Sequence, residues 1–72
     1  MTNWDKIAAD WEVFKGNARH EWSKLSEDDL NFIAGRRDRL VQKIQEIYLV
    51  TKEEAERQAD KWESDMVLAG SN

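Results

Sequence analysis

Residues 34–40 read Ala-Gly-Arg-Arg-Asp-Arg-Leu, AGRRDRL, and they decide how the chain is divided. Before them, Leu30 and Ile33 lie on one helical face. After them, Leu40, Ile44 and Ile47 continue at helical spacing, with Val41 and Tyr48 widening the stripe. Position 37 should carry the stripe across and holds an arginine instead. Gly35 lies two residues earlier, and a glycine can end a helix because it accepts the left-handed conformation without steric cost. Asp38 then falls at N3 of a new helix, where its carboxylate meets the positive end of the helix dipole. The segment is therefore read as a short helix over 27–34 followed by a longer one over 36–49. The competing reading is one helix of 23 residues, 27–49, with Arg37 snorkelling out of the seam.

The remaining boundaries carry their own signals. Thr2-Asn3-Trp4-Asp5, Ser26-Glu27-Asp28-Asp29 and Thr51-Lys52-Glu53-Glu54 each place a hydroxyl at a helix N-cap and an acid three residues on. In such a capping box, two side chains satisfy backbone N–H groups that the first turn leaves unpaired. Leu25 with Leu30 and Val50 with Ala55 form hydrophobic staples across two of these starts. The first segment carries Trp4, Ile7, Trp11, Phe14, Ala18, Trp22 and Leu25 at steps of three and four, one face of a helix that Gly16-Asn17 could bend. The last carries Ala55, Ala59, Trp62 and Met66, with residues 68–72 expected to fray as a tail. The pattern predicts an all-α domain of four helices spanning residues 1–72, with crossings nearer orthogonal than in a long bundle.

Composition bounds the function classes. A chain of 72 residues can be expected to leave a stability margin of only about 3–5 kcal/mol. Cysteine and proline are both absent, which excludes a disulfide scaffold and favours unbroken helices. No signal-peptide pattern and no run long enough to cross a bilayer occurs, so a cytoplasmic location is expected. The formal net charge of −4 argues against general affinity for nucleic acid or an anionic membrane. Charge is uneven, however: residues 34–50 hold four basic and two acidic residues, the one net-positive block in the chain.

That block is the candidate nucleic-acid contact, with Arg36, Arg39 and Lys43 the residues that would carry it. Its turn faintly resembles the helix-hairpin-helix hairpin, which presents backbone N–H groups to a phosphate. That motif uses two glycines, and here arginines stand where the second would lie. A helix boundary whose arginines pair with nearby acids is the preferred reading. His20 is the single histidine, off the apolar stripe and without a second histidine to share a metal. Ser23, Ser26, Ser64 and Ser71 lack a nucleophile-elbow pattern, and the acids cluster where helix starts explain them. No catalytic residue, metal site or cofactor is expected, and a monomer is expected because the apolar stripes consume one another. Trp11, Trp22 and Trp62 are read as core, and Trp4, near the terminus, as the tryptophan to watch for a partner contact.

Together these elements resemble a known family. Trp11-x-x-Phe14-Lys15-Gly16, Trp22-x-Lys24-Leu25 and Asp28-Asp29-Leu30 match it. So do Gly35-x-Arg37-Asp38-x-Leu40-x-x-Lys43-Ile44-Gln45-x-x-Tyr48, Glu54-Ala55-Glu56 and Trp62-Glu63. In one register over residues 11–63 the chain resembles the CsbD-like small bacterial proteins, most closely their YjbJ-type branch. The resemblance implies a cytoplasmic protein of the general stress response and a SAM-like fold of two roughly orthogonal helical hairpins. It supplies no catalytic or ligand-binding residue. The function expected is therefore a protective or protein-interaction module with an unknown protein partner, and the alternative is a nucleic-acid-associated one.

Overall fold

The computed structural model describes the backbone of residues 3–70 and the side chains of residues 3–66. Five helices follow one another: α1 (Asn3–Ala9), α2 (Trp11–Glu21), α3 (Glu27–Ile33), α4 (Arg37–Tyr48) and α5 (Lys52–Gly70). The described residues contain no strand. The division at AGRRDRL is as expected, since α3 ends at Ile33 and α4 begins at Arg37.

The fifth helix corrects the expected count of four. The first segment is two helices, and the break falls at Asp10, not at Gly16. Asp10 has φ −112° and ψ 34°, outside the helical region, and its carbonyl accepts from the N–H groups of Val13 and Phe14 at 2.9 and 3.2 Å. Aspartate is a weak helix former whose side chain competes for the backbone. The kink lets Ile7 and Trp11 both reach the core, and the Trp11 indole N–H donates to the Leu30 carbonyl at 2.9 Å. Gly16 lies within an unbroken α2, with open space around its Cα. At the other end, α5 runs to Gly70, so residues 68–70 of the expected tail are helical, and Ser71 and Asn72 lie outside the described residues.

Capping follows the sequence signals in part. At Ser26 the box is complete: the Asp29 N–H donates to Ser26 Oγ at 3.1 Å, and the Ser26 N–H donates to Asp29 Oδ2 at 3.0 Å. At Thr51 half of it forms, with the Glu54 N–H donating to Thr51 Oγ1 at 3.1 Å. The Glu54 carboxylate turns instead to Arg57 and Gln58, both at 2.8 Å. Gln58, so held, accepts the Trp22 indole N–H at 3.0 Å. The Thr2 cap lies outside the described residues.

The core is the one the stripes predict. Ile7, Trp11, Ala18, Trp22, Leu25, Leu30, Ile33, Leu40, Val41, Ile44, Ala55, Ala59 and Trp62 are buried, and no buried residue is polar or charged among those described. Trp4, Phe14, Ile47, Tyr48, Val50 and Met66 pack around them half-buried. Trp62 is the hub. Trp4 of α1, Trp11 of α2 and Trp22, the residue that caps α2, approach its ring at centroid distances of 5.9, 6.5 and 5.7 Å, tilted or edge-on as aromatic quadrupoles prefer. Helices α4 and α5 form the most extensive helix pair, and α1 closes over α5.

Candidate functional site: the α3–α4 turn

The turn is built from two successive left-handed residues, Ala34 (φ 48°) and Gly35 (φ 78°). Ala34 ends α3, its N–H donating to the Leu30 carbonyl at 3.1 Å. The Arg36 N–H returns to the Ile33 carbonyl at 2.9 Å, and Arg36 is the extended N-cap of α4. Glycine is required at 35 for a second reason. A Cβ there would lie 2.4 Å from Ala8 Cα and 2.9 Å from Ala8 N, so the close approach that glycine permits is made by the α1 backbone.

The cations of the block separate into three environments. Arg37 folds back onto α5, its Nε 2.8 Å from Asp60 Oδ1 and its Nη2 3.1 Å from Asp60 Oδ2, with Glu56 at 3.7 Å. This bidentate bond holds the Asp60 carboxyl below the ordinary aspartate range and raises the guanidinium further. Lys43 lies between Asp29 at 3.4 Å and Glu46 at 3.7 Å. The Ser26 backbone N–H, then Ser26 Oγ and Lys43, lower the Asp29 carboxyl. Arg39 donates to the Phe32 carbonyl at 3.0 Å and places its guanidinium 5.1 Å from the Phe32 ring centroid. The Lys43 ammonium is also 5.1 Å from that ring.

Of the three expected contact residues, the fold therefore brings Arg39 and Lys43 together over one aromatic ring. Arg36 is exposed at the N-cap of α4, apart from that ring, and makes no ion pair among the described residues. A shallow cleft of about 250 Å3 lies on the other side of the turn, lined by Trp4, Asp5, Ala8, Gly35, Arg36, Arg37 and Asp38. Trp4 is half-buried there and stacks on Trp62. His20 is exposed on α2. No group of three or more His, Cys, Asp or Glu side chains that could hold a metal occurs among the described residues. No described helix is long and apolar enough to cross a membrane.

Sequence reasoning missed Phe32 and Asp60. Phe32 lies off the apolar stripe of α3, and an aromatic at such a position near a cationic helix face was the signal available. Asp60 lies one turn after Glu56, a pair whose shared face could have been matched to Arg37.

A compact helical domain with an apolar interior and a cationic turn is the class these features define. Its relatives place it more narrowly. The chain is 46% identical over 61 residues to the UPF0337 protein YjbJ of an Escherichia coli O6:H1 strain, covering 85% of this chain and 88% of that one. It is 48% identical over 61 residues to the UPF0337 protein ECA0631 of Pectobacterium atrosepticum, with the same coverages. It is 38% identical over 65 residues to the UPF0337 protein NE2439 of Nitrosomonas europaea, covering 90% of this chain and 69% of that one. The chain belongs to the UPF0337 family, the CsbD-like proteins. No protein-family model matches it, and no solved structure matches it.

Proposed function

We propose that this protein is a non-enzymatic, cytoplasmic member of the general stress response that works as a monomer through surface contacts with other proteins. Its two-hairpin, SAM-like arrangement is part of the same proposal. The observation that carries the reading is at Gly35. A phosphate-binding turn keeps a glycine so that the anion can reach the backbone, and here Ala8 fills that space while Ile33 takes the Arg36 N–H. Arg37 and Lys43 are partnered by acids of the same chain, as a structural boundary requires. What is left for a partner is the outer surface.

The competing reading, a nucleic-acid module using Arg36, Arg39 and Lys43, makes a different prediction. Binding to DNA or RNA would weaken steeply with salt, and replacing Arg36 and Arg39 by glutamine would reduce the log–log slope by about two. Fluorescence-anisotropy titrations of the intact protein at several salt concentrations are expected to give no complex. A salt-sensitive complex lost in the double variant would overturn the proposal. Its stress component is tested by quantifying the protein in cells before and after osmotic or stationary-phase stress, where a constant level would count against it.

A further inference from the structure

We infer that the surface formed by Phe32, Arg39 and Lys43 docks an acidic segment of a partner protein, one that sets carboxylates around an apolar side chain. The inference rests on the protein-contact reading above and names the partner's chemistry and its seat.

Phe32 is a large aromatic residue left 42% exposed on α3. Two cations from α4 hold their charges 5.1 Å from its ring centroid, and the guanidinium of one is fixed by its bond to the Phe32 carbonyl. The ring thus presents exposed apolar surface beside charges that are already positioned. Such preorganisation lowers the ordering cost of binding, and aromatic and arginine side chains are the ones that most often dominate protein interfaces. Positions 39 and 43 lie one turn apart, so these two cations share one face of α4 with Phe32 at its side. Arg39 makes no ion pair among the described residues, and neither does Arg36.

Charge selects the occupant. Acids interrupt the surroundings of that face: Asp29 and Glu46 flank Lys43, and Asp38 lies exposed between Arg36 and Arg39 in sequence. A nucleic-acid strand carries a phosphate at every nucleotide and would bring some of them against these acids. An anionic membrane would face the whole chain, whose net charge is −4. A peptide can place carboxylates only opposite Arg39 and Lys43 and lay a leucine on Phe32. The patch is far smaller than a stable interface of about 800 Å2 per partner, so the contact is a weak and transient one.

The test is an amide-detected NMR titration of the isotope-labelled full chain with a short synthetic peptide in which aspartates flank a central leucine. A peptide with asparagine in place of aspartate, an oligothymidylate and anionic phosphatidylglycerol vesicles run in parallel. Shifts confined to residues 29–46 are expected, with a dissociation constant of about 0.1–1 mM that weakens about tenfold between low and high salt. The asparagine peptide should not bind. Arg39→Gln and Phe32→Ala should each weaken binding at least about fivefold, whereas Lys61→Gln, which removes an exposed cation on α5, should not. Near-native spectra show that each variant is folded, and Lys43→Gln replaces any that is not. Absence of shifts at several millimolar peptide, or equal binding by Arg39→Gln and wild type, overturns the docking inference and leaves the broader reading standing. Tighter, salt-dependent binding of the oligothymidylate to the same residues overturns both, and binding confined to the vesicles overturns the docking inference in favour of a membrane surface.

Discussion

Two glycines in this chain respond to alanine in opposite directions, and each response follows from a single contact shell. At Gly35 the backbone is left-handed and Ala8 lies within 2.4 Å of where a Cβ would stand. Gly35→Ala should therefore cost about 2 kcal/mol or more, the sum of an unfavourable φ and a displaced α1. At Gly16 a Cβ meets nothing within 4 Å inside a regular helix, so Gly16→Ala should stabilise by about 0.5–1 kcal/mol. Leu49 is a third case. It ends α4 at φ 56° with 86% of its surface exposed, so the strain is matched by little burial. Leu49→Gly should gain about 0.5–1 kcal/mol. Urea denaturation of the three variants gives the signs directly, and a stabilised Gly35→Ala would contradict the turn geometry.

The helix starts and the α4–α5 contact set the acid sensitivity. Asp29 is depressed chiefly by the Ser26 backbone N–H and Asp60 by the Arg37 guanidinium. A carboxyl lowered in the folded state adds stability above its unfolded value near 4, and that stability is lost as pH falls through the lower folded value. Unfolding free energy should be flat from pH 7 to about 5 and decline below about 4, by less than about 1 kcal/mol for each group because both are part exposed. Asp60→Asn should flatten part of that decline in a pH series of melting curves. Ser26→Ala removes the hydroxyl half of the one complete capping box among the described residues and should cost about 1 kcal/mol.

For the molecule as a whole, one side chain joins the parts. Trp62 of α5 is ringed by Trp4 of α1 and by Trp11 and Trp22 at the two ends of α2. Trp62→Ala should cost about 3–5 kcal/mol, comparable with the entire margin expected for a domain of this length. Loss of the cooperative far-ultraviolet transition at 25 °C is the expected readout, and a near-native melting curve would remove Trp62 from the centre of the core. Sedimentation at micromolar concentration should give a monomer, since the thirteen buried hydrophobic residues among those described form a single cluster.

The sequence by itself determined what depends on local spacing and backbone chemistry. It gave helices from apolar residues at three- and four-residue steps, the boundary at Gly35 from an arginine on the stripe, and the N-cap at Ser26 from the acid three residues on. Every buried core residue among those described followed from the same stripes. Only the tertiary structure decided what depends on partners distant in the chain. Asp10 breaks the first segment so that Trp11 can reach the Leu30 carbonyl, a bond across 19 residues. Glu54 leaves its expected cap to orient Gln58 for Trp22, and Arg37 finds Asp60 across 23 residues. Phe32, unremarkable in sequence, becomes a candidate contact because folding sets two α4 cations against its ring. Periodicity records which face of a helix is apolar, but not which helix that face will meet. The meeting is fixed by packing, which places backbone next to backbone at Ala8 and Gly35 and so assigns the glycine to the core.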